Sequence, residues 1–224
     1  RRISEQLRVV EAALNEDNLP DAVAILQNLQ RDYPNNPNWQ ALWLKGHMKQ
    51  AQASTERGRL ALPNRDFDRA RTEFEEAQAA YQAVLNVFPA HPLAEPGRNE
   101  AAALHEVATF CLQAQRDLST RHWEGAREAL QAAQEKLVAA SNVRNTRFKD
   151  ISAALQAFQA EVQTTIDEVR QARTRLTEGE QKLKDHEPDR AEADFRQGLD
   201  VLQARDNDLQ QRLANGLREA DRVQ

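Results

Sequence analysis

The sequence predicts an all-α protein, and three observations lead to that prediction. Ala, Leu, Gln, Glu and Arg, which are good helix formers, dominate the composition. Aromatic residues make up only 5% of the 224 residues, and the alternating β-branched and aromatic runs that mark strands are missing. The seven glycines and eight prolines leave long stretches in which apolar residues recur three or four positions apart. We expect antiparallel helical hairpins that stack side by side.

The first ninety residues predict four helices separated by turns. Ile3, Leu7, Val10 and Leu14 lie at helical spacing and predict a helix over 2–15. A proline in the first turn of a helix costs no hydrogen bond, so the second helix is expected to start near Pro20. The next two helices are predicted over 38–60 and 66–88, and the proline-rich stretch 89–97 is expected to be a loop.

Beyond the loop, the same spacing predicts helices over 98–118 and 121–140, and then a long helix from Asn145 to Lys184. Apolar positions of the long helix alternate four and three apart, which is typical of a coiled-coil seam. The seam comprises Ile151, Leu155, Phe158, Val162, Thr165, Val169, Ala172, Leu176, Gly179 and Leu183.

After a turn at Pro188, the spacing predicts one returning helix. Its apolar positions are Phe195, Leu199, Leu202, Leu209, Leu213 and Leu217, with Asp206 inside the seam. Two interpretations are open. The two helices pack on each other as a long antiparallel hairpin, or the seam forms a coiled-coil homodimer through residues 145–217.

A second spacing recurs along the predicted helices: a small residue, a large apolar residue four positions on, and another core residue three further on. The small residue lets two helices approach closely, and the large one fills the gap to the next hairpin. The spacing therefore predicts stacked hairpins. The clearest copies are Ala22, Leu26, Leu29 with Pro34, and Ala77, Tyr81, Val84 with Pro89; weaker copies are Ala126, Leu130, Ala133 and Ala191, Phe195, Gly198, and an overlapping one is Ala70, Phe74, Ala77.

Over residues 1–140 this pattern resembles the tetratricopeptide repeat. In the second helix of that repeat, the family places small, large and small residues, followed by a proline, where the two clearest copies have them. The resemblance implies a right-handed, solenoid-like array whose surface binds other proteins. The chain departs from the family in its period, which is about 34 residues in the family. Here the small residues at 22, 77, 126 and 191 are 55, 49 and 65 apart.

Charge and cysteine content bear on the partner and the compartment. The 30 basic and 35 acidic residues are mixed along the chain and give a net charge of −5. Nucleic-acid binding usually needs a basic stripe, so no nucleic-acid partner is expected. The single cysteine, Cys111, excludes an internal disulfide and suits a reducing compartment, so we expect a cytoplasmic protein. No apolar run predicts a membrane span. Because the chain begins at Arg1, we expect a segment of a longer protein.

No catalytic or metal-binding pattern stands out in the sequence. The five histidines include no pair at the i, i+3 or i, i+4 spacing of a metal site on a helix. Cys111 lies between Phe110 and Leu112, which predicts a buried structural thiol rather than a nucleophile. We therefore expect a protein that is not an enzyme and has no cofactor or metal.

The third helix carries the candidate binding residues. Trp39 and Trp43 are four positions apart and share one face, and Lys45 and Lys49 share another. Together they predict a groove with an aromatic floor and a basic rim, suited to an acidic or C-terminal peptide. The alternative is two core tryptophans and a solvated lysine face.

The sequence leads to one main hypothesis for function. Residues 1–140 are expected to form tetratricopeptide-like hairpins, and 141–224 a long antiparallel helical hairpin. The hairpins predict a non-catalytic scaffold that binds a partner protein or peptide through a helical groove. A dimerisation or spacer module is the first alternative, and a small-molecule sensor or regulatory domain is the second.

Overall fold

The computed structural model describes residues 2–16, 18–33, 39–144, 148–202 and 206–223. The described residues form helices and no strand, which confirms the all-α prediction. The helices over these ranges are α1 (Arg2–Asn15), α2 (Leu19–Asp32), α3 (Gln40–Ala61), α4 (Phe67–Val87), α5 (Ala94–Ser119), α6 (Trp123–Arg144), α7 (Lys149–Lys184), α8 (Pro188–Leu202) and α9 (Asn207–Val223). None of these helices carries an apolar stretch long enough to cross a lipid bilayer.

Most helix boundaries lie within a few residues of those predicted, and the start of α5 and the end of α6 each shift by four residues. Helix α5 begins at Ala94 and takes in Pro96, which the sequence assigned to a loop. Pro96 lies in the first turn, where its missing N–H leaves no hydrogen bond unmade. The long helix α7 ends at Lys184 as predicted. Its predicted start at Asn145 lies outside the described residues, and so does Pro34.

The prediction of a single returning helix after Pro188 is wrong. The chain forms two helices there, α8 and α9, which pack on each other. Asp206 begins the second of them, because its carboxylate accepts a hydrogen bond of 3.1 Å from the backbone N–H of Leu209. A short acidic side chain in this position caps a helix N-terminus. Asp206 is therefore a helix start rather than a weak position in a continuous seam.

The apolar seam of α7 is covered by the chain itself. Positions from Ile151 to Leu176 are nine-tenths or more buried, Gly179 is buried, and Leu183 is half-buried. These side chains are removed from water without a second copy of the protein. This burial is consistent with the first interpretation, in which the seam packs within the chain, and a homodimer through residues 145–217 stays a prediction.

The chain divides into two compact units: Arg1–Leu112 with Ala132–Leu155, and Gln113–Gln131 with Gln156–Gln224. The division passes within α5, α6 and α7, and the predicted domains at 1–140 and 141–224 stay a prediction. In the first unit, α1 packs on α2, α2 on α3, and α3 along α4. Their core includes Val10, Leu14, Leu26, Leu29, Trp39, Trp43, Tyr81 and Val84.

The second unit has its own core and a buried ion pair. The core includes Val169, Leu176, Phe195, Leu202, Leu209 and Leu213. Asp194 of α8 is only 5% exposed, and two cations of α7 neutralise it. Its carboxylate lies 2.5 Å from Nζ of Lys182 and 3.2 Å from Nη1 of Arg175. A buried charge needs such partners, so this contact fixes the position of α8 against α7.

Four turns join the helices pairwise, between α1 and α2, α3 and α4, α5 and α6, and α7 and α8, and they share one hydrogen-bonding pattern. In each, the residue before the second helix donates its N–H to the carbonyl five residues back, and its own carbonyl accepts an N–H from an alanine four residues on. The first bonds are Asn18 to Ala13 (2.9 Å), Asp66 to Ala61 (3.2 Å), His122 to Asp117 (2.8 Å) and Glu187 to Lys182 (2.9 Å). Bonds of this span close the end of a helix and reverse the chain.

The residue before each of these donors adopts a left-handed backbone where it is described. Arg65, Arg121 and His186 have φ of 60°, 61° and 61°. Non-glycine residues rarely adopt this conformation, and at a helix C-terminus it allows the N–H groups to turn back onto the last carbonyls. A basic side chain near these carbonyls interacts favourably with the negative end of the helix dipole.

We call the residue that donates the first hydrogen bond of each turn its turn donor. When positions are counted from the turn donors, the helices also share a packing register. In two turns a glycine stands eight residues before the donor and a phenylalanine eight residues after it, namely Gly58 with Phe74 and Gly179 with Phe195. A Cβ on Gly58 would lie 2.7 Å from the Phe74 ring, and one on Gly179 would lie 2.5 Å from the Phe195 ring. Each ring therefore occupies the space that a side chain would need.

The other two turns hold a smaller apolar residue in place of the phenylalanine and a larger one in place of the glycine. Val10 pairs in register with Leu26, and Ala114 pairs with Leu130. All four side chains are fully buried. At these two offsets a larger residue on one helix thus goes with a smaller residue on the other.

The same register identifies which copy of the small–large–small spacing follows the α3–α4 turn. Ala70, Phe74 and Ala77 lie four, eight and eleven residues after Asp66. These are the offsets of Ala22, Leu26 and Leu29 from Asn18. Ala77, Tyr81 and Val84 come two helical turns later on the same buried face of α4. The overlapping copy is therefore the one in register with the other three.

Candidate functional site

The two tryptophans predicted to floor a groove are core residues of the first unit. Trp39 is 3% exposed and Trp43 is 2% exposed. Their rings meet edge to face, with centroids 6.3 Å apart. The indole N–H of Trp39 donates a 2.8 Å hydrogen bond to the carbonyl of Tyr33, just beyond α2. Their burial matches the alternative that the sequence left open, in which both residues fill the core.

His47 extends this aromatic cluster by one helical turn. Its ring centroid is 4.2 Å from that of Trp43, and the side chain is buried. Nδ1 of His47 and Nε1 of Trp43 have no hydrogen-bond partner among the described residues. Burial lowers the pKa of His47 below its usual value, because a charged imidazole would lose its hydration there. The ring is therefore held neutral in the core.

The two predicted lysines of α3 have different environments. Nζ of Lys49 donates a 2.8 Å hydrogen bond to the carbonyl of Leu14, in the last turn of α1. A cation at this end of a helix satisfies a free carbonyl and interacts with the helix dipole. Lys45 is exposed. Lys49 thus has a packing role that the sequence pattern gave no sign of.

The residues predicted to pack the hairpins are placed in the core. Ala22, Leu26, Leu29, Ala77, Tyr81 and Val84 are all at least 97% buried. The Tyr81 ring lies against Gly97 of α5, at a distance that leaves no room for a Cβ. Pro89 is exposed and follows Phe88, the residue that ends α4.

The one cysteine has the character of a structural residue. Cys111 is fully buried in α5, and burial raises the pKa of its thiol to about 12. A thiol that stays protonated at neutral pH is a poor nucleophile and a poor metal ligand. Among the described residues, no three His, Cys, Asp or Glu side chains come together in an arrangement that would hold a metal ion.

One groove of about 450 Å³ lies in the first unit, between the end of α3 and the start of α7. The guanidinium of Arg59 lies 5.0 Å from the centroid of the Phe148 ring and forms an ion pair with the buried Glu100. Leu60 is 62% exposed at the rim. The other charged side chains lining the groove are Glu56, Lys149 and Asp150, so acidic and basic groups are balanced.

A second groove, of about 420 Å³, lies in the second unit, and we call it the arginine groove. Three arginines line it: Arg121 from the α5–α6 turn, Arg173 from α7 and Arg212 from α9. Two leucines, Leu176 and Leu209, supply its apolar lining and are 4% and 5% exposed. The remaining lining residues are Thr177, Asp206 and Asp208.

The charges of the arginine groove are partly compensated. Nη1 of Arg121 lies 3.5 Å from Asp206 and 3.4 Å from Asp208. Asp206 also caps α9, so its carboxylate is held by a backbone N–H and by a cation. Arg212 donates a 3.1 Å hydrogen bond to Glu180. Arg173 is exposed and forms no ion pair with any described residue.

Sequence reasoning missed the arginine groove because its cations are far apart in the chain. Arg121, Arg173 and Arg212 come from three separate elements, and none belongs to a basic run. The only local signal is Arg121, which stands directly before the residue that starts a helix, as Arg65 does. Folding alone brings the three guanidinium groups to one groove.

Comparison of the chain with known proteins found no counterpart. No family model matches the sequence, and no curated protein or solved structure matches it.

Proposed function

We propose that this chain is a non-catalytic scaffold, built of tetratricopeptide-like helical hairpins, that binds a partner protein through a helical groove. The observation that carries this proposal is the pattern shared by the four turns. In each of them the same backbone hydrogen bonds recur, followed by an alanine at the same offset. A unit used four times in one chain is the hallmark of solenoid proteins, whose stacked hairpins present extended binding surfaces.

The side-chain register supports the resemblance to the tetratricopeptide family. A small residue, a large apolar residue and a third small or apolar residue lie four, eight and eleven positions after each turn donor. Ala22, Leu26 and Leu29 have these positions after Asn18. Gly58 and Gly179 stand on the first helix of their hairpins, and each receives a phenylalanine ring from the second. The glycine lets the two helices of one hairpin approach closely, whereas the sequence pattern led us to expect the large residue in the gap to the next hairpin.

The irregular period has a physical account under this proposal. The four turn donors stand at 18, 66, 122 and 187, so their spacing of 48, 56 and 65 grows along the chain. The helices lengthen from 14 residues in α1 to 36 residues in α7. The added residues extend the helices at the ends away from the turns, where they leave the shared register unchanged.

The chemistry of the described side chains favours a binding role over catalysis. Cys111 has a thiol that stays protonated at neutral pH, and His47 is a neutral imidazole inside the core. Neither reaches a groove where it would act on a substrate, since both are buried. The two grooves offer instead guanidinium groups, carboxylates and aliphatic side chains, which are the groups that protein interfaces use.

Affinity capture tests the proposal directly. The immobilised chain is exposed to lysate of the source cells, and each captured protein is then expressed, purified and titrated against the free chain. The proposal expects at least one purified partner that binds the folded chain and does not bind an unrelated all-α protein. If no captured protein binds when both components are pure, the chain is not an interaction scaffold.

A further inference from the structure

We propose that the arginine groove binds an acidic segment of the partner protein, with a carboxylate between Arg173 and Arg212 and a neighbouring aliphatic side chain against Leu176 and Leu209. This inference rests on the proposed scaffold function and names the chemistry of its ligand. It places the binding site on α7 and α9 rather than on α3, where the tryptophans turn out to be core residues.

Arg173 is the first reason for this assignment. Its guanidinium is exposed at the groove and has no ion-pair partner among the described residues. Most arginines described along this chain have a carboxylate within 4 Å, often three or four residues away in the sequence. Arg173 is left with donors arranged in a planar fork, and this geometry matches the two oxygens of a carboxylate.

The charge balance of the groove is the second reason. The lining contains three arginines and two aspartates, and Glu180 beside it pairs with Arg212. Arg121 and Arg212 are thus compensated, whereas Arg173 has no carboxylate partner among the described residues. Asp206 is 7% exposed and is already engaged by the start of α9, so it contributes little negative potential to the open space. An uncompensated guanidinium at Arg173 favours an acidic group of the partner at that point of the groove.

The aliphatic lining is the third reason. Leu176 and Leu209 stand one helical turn from Arg173 and Arg212, on the same two helices. A volume of about 420 Å³ lies within the range of pockets that hold small ligands or a few side chains. An Asp or Glu two positions from a Leu, Ile or Val in an extended segment would direct both side chains to the same face, where they would meet the guanidinium groups and the leucines together.

Fluorescence anisotropy tests the assignment with a labelled Leu–Glu peptide, a repeat of Leu-Ser-Glu-Ser that places Leu and Glu on one face when extended, and a matched Leu–Gln peptide in which Gln replaces each Glu. The protein is the whole chain, either unchanged or as Arg173→Gln with Arg212→Gln. The matched control variant is Arg190→Gln with Arg196→Gln, which removes two exposed arginines of α8 from the same unit. All four positions are exposed and their ion pairs contribute little to stability, so both variants are expected to fold.

We expect the Leu–Glu peptide to bind the unchanged chain and the Arg190, Arg196 variant equally. Loss of Arg173 and Arg212 is expected to weaken binding by about tenfold or more, and the Leu–Gln peptide is expected to bind as weakly as that. Equal binding of the two peptides overturns the proposal. An equal loss of affinity for the Leu–Glu peptide in the Arg173, Arg212 variant and in the Arg190, Arg196 variant overturns it too. Tighter binding of a single-stranded oligonucleotide than of the Leu–Glu peptide overturns it as well, because the groove would then be a phosphate site.

The outcome separates this inference from the scaffold proposal. If a purified partner from affinity capture binds the Arg173, Arg212 variant as tightly as the unchanged chain, the arginine groove is excluded while the scaffold function stands. If no purified partner exists, the scaffold function fails and the groove has no protein ligand to serve.

Discussion

Replacement of Gly179 by alanine tests the packing register on which the proposed hairpin repeat depends. The new Cβ would lie 2.5, 2.7 and 2.8 Å from three ring atoms of Phe195. Real Cβ contacts are not found below about 3 Å, so the ring must move. It has little room to do so, because Phe195 is fully buried and the same ring edge also fills the space beside Gly216 of α9, where an added Cβ would lie 2.7 to 3.0 Å from it.

Two opposing effects set the size of the change. Overpacking of a well-packed core costs about 1–3 kcal/mol, and alanine in place of glycine inside a helix gains about 1 kcal/mol. Because the buried ring edge of Phe195 is packed against both Gly179 and Gly216, we expect the upper part of the first range and a net loss of about 1–2 kcal/mol in the free energy of unfolding. Urea denaturation followed by circular dichroism measures it.

A matched control is available at Gly125 of α6. A Cβ there would also meet a close neighbour, the ring of His122, but this ring is 70% exposed and can rotate away at the cost of a 3.5 Å contact with Asp117. Gly125→Ala is therefore expected to leave stability unchanged or to raise it by up to about 1 kcal/mol. The same crowding thus has opposite consequences at a rigid and at a movable neighbour.

A double variant shows whether the register itself is responsible. Gly179→Ala with Phe195→Leu copies the pair Ala114 and Leu130, which the chain uses at the same offsets in the α5–α6 hairpin. We expect the free energy of unfolding to decrease less in the double variant than the two single decreases add up to, by at least about 0.5 kcal/mol. Strict additivity, or a Gly179→Ala protein more stable than the unchanged chain, would refute the packing argument.

Three further predictions concern buried polar groups. His47 has a pKa below its usual value, so the unfolded state takes up a proton first as the pH falls. We expect stability to decrease below about pH 6.5, by at most about 1.4 kcal/mol per pH unit. Cys111, whose pKa is about 12, should not react with iodoacetamide in the native chain at about pH 8 and should react once urea unfolds it. Asp194→Asn should lower the unfolding free energy by about 1–3 kcal/mol, because Arg175 and Lys182 lose their buried anion.

Each of these predictions has a control. For the histidine, the free energy of unfolding should depend less on pH in His47→Leu. An unchanged slope would show that another group causes the pH dependence. For the thiol, rapid labelling of the folded chain would show that Cys111 is accessible. For the aspartate, Asp208→Asn is the comparison, since Asp208 is 91% exposed and its loss should be nearly neutral. Equal effects of the two aspartate substitutions would contradict a structural role for Asp194.

The success and the failure of sequence-based reasoning have separate physical causes. Helix positions were predictable because a 3.6-residue period is local and strong in this chain. The hairpin packing was partly predictable, since Ala22, Leu26 and Leu29 form a pattern within one helix. The end of α8 was missed because Asp206 occupies a seam position and also caps a new helix. A capping role depends on the path of the backbone, and the apolar period alone does not report it.

The candidate site was less predictable than the fold. Trp39 and Trp43 have the same spacing whether they face a groove or a core, and only tertiary packing decides between the two. Arg121, Arg173 and Arg212 belong to elements that contact one another only after folding. Local patterns therefore locate helices well and locate binding surfaces poorly.

The shared turns have a consequence for how this chain tolerates changes in length. Because the packing offsets are counted from each turn, residues inserted or deleted near the turn would shift every partner of the hairpin out of register. Residues added at the opposite ends would leave those partners in place. Extensions of one or two helical turns should be accepted at the start of α7 and rejected beside His186. Each hairpin thus has a part near the turn whose length is fixed by its packing contacts and a part at the far ends of the helices whose length can vary.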